Sequence, residues 1–175
     1  MTVLIVEDTD LMRRRLREIL VHELKIQDAN IYEVPNGHEA VKQYKAVNPD
    51  YVFLDIFMPG MNGIRTMAKL KAMDPDVYAI MITASATRQV VIEAILAGAK
   101  DYIKKPPTLE KIARSLNINL FNPQPQPRER HQGVTGVSKA LITEVMADTA
   151  FDLDVLAGLT FQKGGDDLLN ELLND

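Results

Sequence analysis

The sequence predicts an α/β fold: a five-stranded parallel sheet, doubly wound, with helices on both faces. Three observations lead there. Short apolar runs recur five times along residues 1 to 120. They are apolar nearly throughout, as strands buried on both faces are. Stretches of helical period separate them, so strand and helix alternate along the chain.

The runs, in order, are "TVLIV", "NIYEV", "YVFLD", "VYAIMIT" and "DYIK". Each is short, apolar and rich in β-branched or aromatic residues. After the first run, "TDLMRRRLREILVHEL" places Met12, Leu16, Ile19 and Leu20 on one face, with arginines opposite. "GHEAVKQYKA", "GIRTMAKLKAM", "TRQVVIEAILAG" and "TLEKIARSLNI" follow the helical period less perfectly. Gly98 after "AILA" reads as a helix stop. Val90, Val91, Ile92, Ile95 and Leu96 on that fourth helix are expected mostly in the core, a subset serving as an output face.

Past residue 120 the pattern changes. Residues 121–133 form a Pro-rich linker, "NPQPQPRERHQG" from residue 122, whose alternating prolines favour an extended spacer. Residues 134–175 read as a mostly helical acidic tail, with Ser138 a helix N-cap. Leu141, Val145, Met146, Leu153 and Leu156 offer it an apolar helical face for dimerisation.

Charge excludes some functions. The chain of 175 residues carries −4 overall, but residues 1 to 120 hold 16 basic and 15 acidic side chains. The tail sets Lys139 and Lys163 against eight acids, a net of −6. Such a segment repels phosphate backbones, so no nucleic-acid binding is expected of it. There is no cysteine, hence no disulfide and no thiolate metal site. No apolar run is long enough for a bilayer, so a soluble, cytoplasmic protein without membrane insertion is expected.

The chemistry gathers where strands end. In sheets of this kind, ligands bind at the carboxyl ends of the strands. Glu7 and Asp8 close the first strand, and Asp55 closes the third. With those strands adjacent, three carboxylates crowd one spot and repel. A divalent cation relieves them, and oxygen donors suit Mg²⁺ or Mn²⁺. Thr83 brings a hydroxyl from the fourth strand, and Lys105, before Pro106, brings a positive charge after the fifth. Acids, metal, hydroxyl and ammonium describe a site for a phosphoryl group. Taken singly, each of these residues is more often an ordinary solvated loop residue. His22, His38 and His131 have no metal-binding or catalytic spacing.

Four ordered motifs carry a family resemblance: "LIVEDT", "VFLDIFMPGMNGI", "IMITA" and "AKDYIKKP". Residues 1–120 resemble the receiver domain of two-component response regulators, the flavodoxin/CheY-like fold. The resemblance implies that Asp55 accepts a phosphoryl group from a histidine kinase or phosphotransfer protein. It implies Mg²⁺ held by Asp8, Asp55 and the backbone carbonyl of Phe57, with Glu7 acting through water. Lys105, rather than Lys104, then contacts the phosphoryl oxygens, and the bond before Pro106 is cis. Thr83 and Tyr102 form the switch, the tyrosine turning inward as the threonine moves to the phosphoryl group. Phe57 and Ser85 occupy the two positions that tune phosphoryl lifetime. Bulky Phe57 is expected to hinder attacking water and slow self-dephosphorylation. Pro107 departs from the family, where Phe usually follows Lys-Pro; it stiffens the entry to the last helix and removes an aromatic contact. Arg13, Arg14 and Arg15 read as a solvated face or as part of a kinase-docking surface.

The implied function is a phosphorylatable response regulator, not a turnover enzyme, that signals to an effector protein by phosphorylation-dependent contact, in chemotaxis or motility. The alternative is a phosphate sink or relay receiver whose tail only dimerises it. The last residues, "GGDDLLNELLND", resemble receiver-binding peptides of the chemotaxis phosphatase and the flagellar switch protein. Leu168, Leu169, Leu172 and Leu173 would form the docking stripe of a short helix. Docking on this receiver, on a second copy, on a partner, or on the tail's own apolar residues all remain open.

Overall fold

The computed structural model describes residues 1–85 and 87–128. Five parallel strands form one sheet: β1 (Val3–Val6), β2 (Ile31–Val34), β3 (Tyr51–Asp55), β4 (Ala79–Thr83) and β5 (Asp101–Lys104). Their order is β2-β1-β3-β4-β5. Five helices connect and follow them: α1 (Asp10–Glu18), α2 (Gly37–Val47), α3 (Gly63–Met73), α4 (Arg88–Ala97) and α5 (Leu109–Ser115). The predicted doubly wound parallel sheet is therefore the observed fold.

Strand burial explains the unbroken apolar runs. β1, β3 and β4 are buried at every position. Successive side chains point to opposite faces, and the two faces build separate cores. Leu4, Val6, Leu54 and Met81 pack with Ala40, Met67, Leu70 and Val91, under α2, α3 and α4. Val3, Ile5, Phe53 and Ile82 pack with Leu16, Leu20, Ile112 and Leu116, under α1 and α5. Each fully buried Leu or Ile contributes about 1.5–3 kcal/mol relative to exposure, so a polar residue at any of these positions would cost more than a typical surface change.

Local signals place the helices. Asn36 and Asn62 cap α2 and α3, their side chains accepting hydrogen bonds from the backbone N–H of Glu39 and Arg65 at 2.9 Å. Gly98 does stop α4, with φ of +103°. The end of α1 departs from expectation: Ile19–Glu23 widens into a π-helical turn. That turn keeps both Ile19 and Leu20 buried. On α4, Val91 is buried but Val90, Ile92 and Ile95 are half-buried and Leu96 is 63% exposed. Val90 and Ile95 still pack against the core, and Leu96 is the exposed member of the set, as the sequence suggested. The tail, residues 134–175, lies outside the described residues, and so do Leu168, Leu169, Leu172 and Leu173.

Candidate functional site at the strand ends

Strand pairing assembles the site. β1 lies beside β3 in parallel register up to Val6 against Leu54. Glu7 and Asp55, the next residue of each chain segment, therefore come out together. This is the point where strand order reverses, since β1 also pairs with β2 on its other side. Oxygens of Glu7, Asp8 and Asp55 all lie within 4.8 Å of one another. Glu7 and Asp55 are 1% and 3% exposed, whereas Asp8 faces solvent.

Lys105, not Lys104, reaches the acids. Its Nζ lies 2.7 Å from Glu7 Oε2 and 2.9 Å from Asp55 Oδ2. The backbone aims it: Lys105 N–H donates to the Thr83 carbonyl at 2.8 Å, and the Lys105–Pro106 bond is cis, as expected. Burial pushes the Glu7 carboxyl above the ordinary glutamate range, with repulsion from Asp55 adding and Lys105 opposing. Burial also pulls the Lys105 ammonium down, but its contacts with Glu7 and Asp55 together outweigh that and leave it raised.

The pocket fits a hard divalent cation. Three carboxylates face one ammonium, so two negative charges are left over if all are ionised. Glu7 Oε2 is buried and, although paired by charge with Lys105, has no partner in hydrogen-bond geometry. Every donor is oxygen, the set preferred by Mg²⁺ or Mn²⁺. Phe57 N–H donates to Asp55 Oδ1 at 3.3 Å, which bends the segment after β3 back over the carboxylate. The Phe57 ring itself is 53% exposed at the rim.

Thr83, at the end of β4, is buried. Its hydroxyl donates to the Ser85 carbonyl at 2.8 Å and accepts from the Ser85 N–H at 3.1 Å. Tyr102 in β5 is buried in the core under α4. Pro107 is buried as well, and α5 opens two residues later with Thr108 as its cap.

Two contributors were not read from the sequence. Arg13 turns inward: its Nη1 donates to the Glu7 carbonyl at 2.5 Å, and its Nη2 pairs with Asp10. Arg14 and Arg15 stay exposed, so the basic run splits in two. The Asp10–Arg13 spacing of three residues, which puts both on one helix side, was the available signal. Gly63 is the second. A Cβ there would sit 2.1 Å from the Asp55 carbonyl oxygen and 2.8 Å from Ile56 Cα. With its N–H donating to the Ile56 carbonyl at 2.9 Å, Gly63 seats the start of α3 directly against the phosphoacceptor candidate's backbone.

Fold and site together define a doubly wound α/β domain with an acid-lined pocket at its switch point. Within that class the chain belongs to the response regulator receiver domain family, whose model matches residues 3–117. It is 42% identical over 115 residues to the chemotaxis protein CheY of Thermotoga maritima, covering 66% of this chain and 93% of that protein. It is 39% identical over 118 residues to CheY of Bacillus subtilis, covering 67% and 96%. Among solved structures it is similar to the CheX–CheY–BeF3–Mg complex of Borrelia burgdorferi, at 32% identity and a TM-score of 0.58, covering 65% of this chain and 84% of that one. No helix among the described residues is long and apolar enough to cross a membrane.

Proposed function

We propose that this response regulator receiver accepts a phosphoryl group on Asp55 from a histidine kinase or phosphotransfer protein and signals by protein–protein contact. The observation that carries the reading is the buried Asp55 carboxylate held between Lys105 and the Glu7–Asp8 pair. An Asp55 carboxylate oxygen bonds to phosphorus as the donor's P–N bond breaks. The electron pair of that bond leaves with the histidine nitrogen. Asp8, Asp55 and the Phe57 carbonyl would hold Mg²⁺, with Glu7 behind them. When bound, Mg²⁺ supplies neutralisation of the phosphoryl oxygens.

This chain's own groups do the remainder. Lys105 is already beside the nucleophile and follows the charge outward onto the phosphoryl group. The Thr83 hydroxyl gives up its bond to the Ser85 carbonyl and turns to the same oxygens. Tyr102, whose ring sits under α4, fills the space this leaves and couples the site to that helix face. Self-dephosphorylation is slow, because Phe57 screens the rim from water. The protein is an acceptor rather than a turnover enzyme. Similarity to two CheY proteins supports a place in chemotaxis or motility.

The test uses a small-molecule phosphodonor, Mg²⁺ and intact-mass measurement. Wild type is expected to gain one acid-stable, base-labile phosphoryl adduct, which does not form when the cation is chelated beforehand. Asp55→Asn is expected to gain none. An adduct that persists in Asp55→Asn would overturn the reading.

A further inference from the structure

The end of the sheet opposite the acids carries an interaction that lies beyond the part matched to the family. α5 stops as Asn117 takes a left-handed conformation, φ +55°, and Ile118 N–H donates to the Ala113 carbonyl at 2.8 Å. The chain then runs without regular structure to Arg128. Over residues 122–126 its exposure alternates: Asn122, Gln124 and Gln126 face solvent, while Pro123 and Pro125 are half-buried; Pro127 is exposed and Arg128 half-buried. A period of two is that of an extended segment laid on a surface with one side inward. On the outer side, Gln124 Nε2 donates to Asn122 Oδ1 at 3.3 Å.

Arg128 ends the segment on the domain. Its Nη2 donates to the Asp76 carbonyl, 52 residues away in sequence. Its guanidinium carbon lies 5.2 Å from the Tyr78 ring centroid, within cation–π range. Its Nε is buried. Tyr78 in turn meets Tyr51 edge-on, with centroids 5.1 Å apart and the rings at 67°. Tyr78 is half-buried, and that burial pushes its hydroxyl up to about 12. Tyr51 opens β3 and Tyr78 directly precedes β4, which puts the anchor at the amino-terminal end of the sheet. Asp55 closes β3 at the other end, about 13 Å along the strand by its rise per residue.

An arginine resting on a surface by chance makes one loose contact. Here hydrogen bond and ring contact converge on one half-buried side chain, and the three prolines before it have little conformational freedom to lose. We propose that residues 118–128 are an integral strap of the domain, docked by Arg128 on a surface made of Tyr51, Asp76 and Tyr78. The occupant of that surface is this chain's own segment, in cis. Arg128 therefore lies at the pole opposite the acid pocket. The docking of the strap rests on the fold alone; its separation from the acid pocket is read through phosphoryl uptake and rests on the proposed function.

The full chain has no cysteine, so pairs of nitroxide labels can be placed cleanly. Labels at Lys45→Cys and Gln126→Cys, both exposed positions, report the strap against the body of the domain. Wild type is expected to give one narrow distance distribution. Arg128→Ala should broaden it at least two-fold, and Tyr78→Leu should do the same. Arg128→Lys, which keeps the charge over the ring, should fall between. Phosphoryl uptake at Asp55 from a small donor should stay within two-fold in Arg128→Ala. A broad distribution in wild type, or a narrow one in Arg128→Ala, would overturn the strap. A distance that changes on dilution with unlabelled chain would assign the contact to a second copy and overturn docking in cis. Loss of phosphoryl uptake in Arg128→Ala would overturn the separation of the two poles.

Discussion

Each end of the sheet buries an aspartate, and the two are held in different company. At the amino-terminal end Asp101 is 2% exposed, accepting from Ser115 Oγ at 2.6 Å and from the Tyr102 N–H at 2.8 Å. Both donors are neutral, and the pair ties β5 to α5. At the carboxyl end Asp55 is equally buried, but its neighbours are two further carboxylates and one ammonium. Burial alone therefore does not mark a functional carboxylate. Excess like charge beside an opening to solvent does, because it leaves something for a ligand to neutralise.

The comparison can be broken most sharply at Lys105. Lys105→Met leaves Glu7 and Asp55 facing each other without a cation. Phosphoryl uptake from a small donor should fall about 100-fold, the scale for losing one charge-stabilising group. The same substitution at Lys104, which points to solvent, should change uptake by less than two-fold. Rates followed by intact mass decide it.

Gly63→Ala comes next. Its methyl group meets backbone rather than a flexible side chain, so the start of α3 must move away from Asp55. A displacement near 1 Å should slow uptake by about ten-fold or more. Calorimetry should also show destabilisation of about 1–3 kcal/mol.

Ser115→Ala probes the other pole. It leaves an Asp101 oxygen buried without its hydroxyl donor, at a cost of about 1–3 kcal/mol in chemical denaturation. Phosphoryl uptake should be unchanged. An equal loss of uptake would mean that the two aspartates are coupled and that the contrast between the poles is false.

The smallest effect is expected at Phe57. Phe57→Asn replaces the rim ring with a group that can orient water, and decay of phospho-Asp55 should quicken several-fold. An unchanged decay rate would show that the ring does not screen the site.

Much of this was legible in the sequence for a physical reason. Strands buried on both faces cannot disguise themselves, so β1, β3 and β4 were plain, the edge strands β2 and β5 followed from the alternation with helices, and the order along the chain placed Glu7, Asp8, Asp55, Thr83 and Lys105 at one edge. Lys105 could be told from Lys104 only through the family resemblance, whose Lys-Pro pair matches Lys105 and Pro106. What stayed hidden depends on helix phase and on contacts distant in sequence. Arg13, Arg14 and Arg15 are identical letters, and only the rotation of α1 turns the first toward the Glu7 carbonyl. The π-helical turn after α1 has no residue signature in "ILVHE". Ser115 and Asp101 are neighbours only once α5 folds back on β5. The prolines of residues 123–127 announced an extended segment but not that its inner side would lie on the domain.

The bridge made by Lys105 has a consequence for the integrity of the pocket. It joins the end of β5 to the ends of β1 and β3, and its partner Asp55 is 50 residues away. Closing a loop of that length costs chain entropy that local contacts do not. A chain with β5 displaced can still carry Asp55 on its strand, yet it lacks the ammonium that completes the pocket. The pocket is thus complete only when β1, β3 and β5 are all in place, and it is lost if any one of the three is displaced.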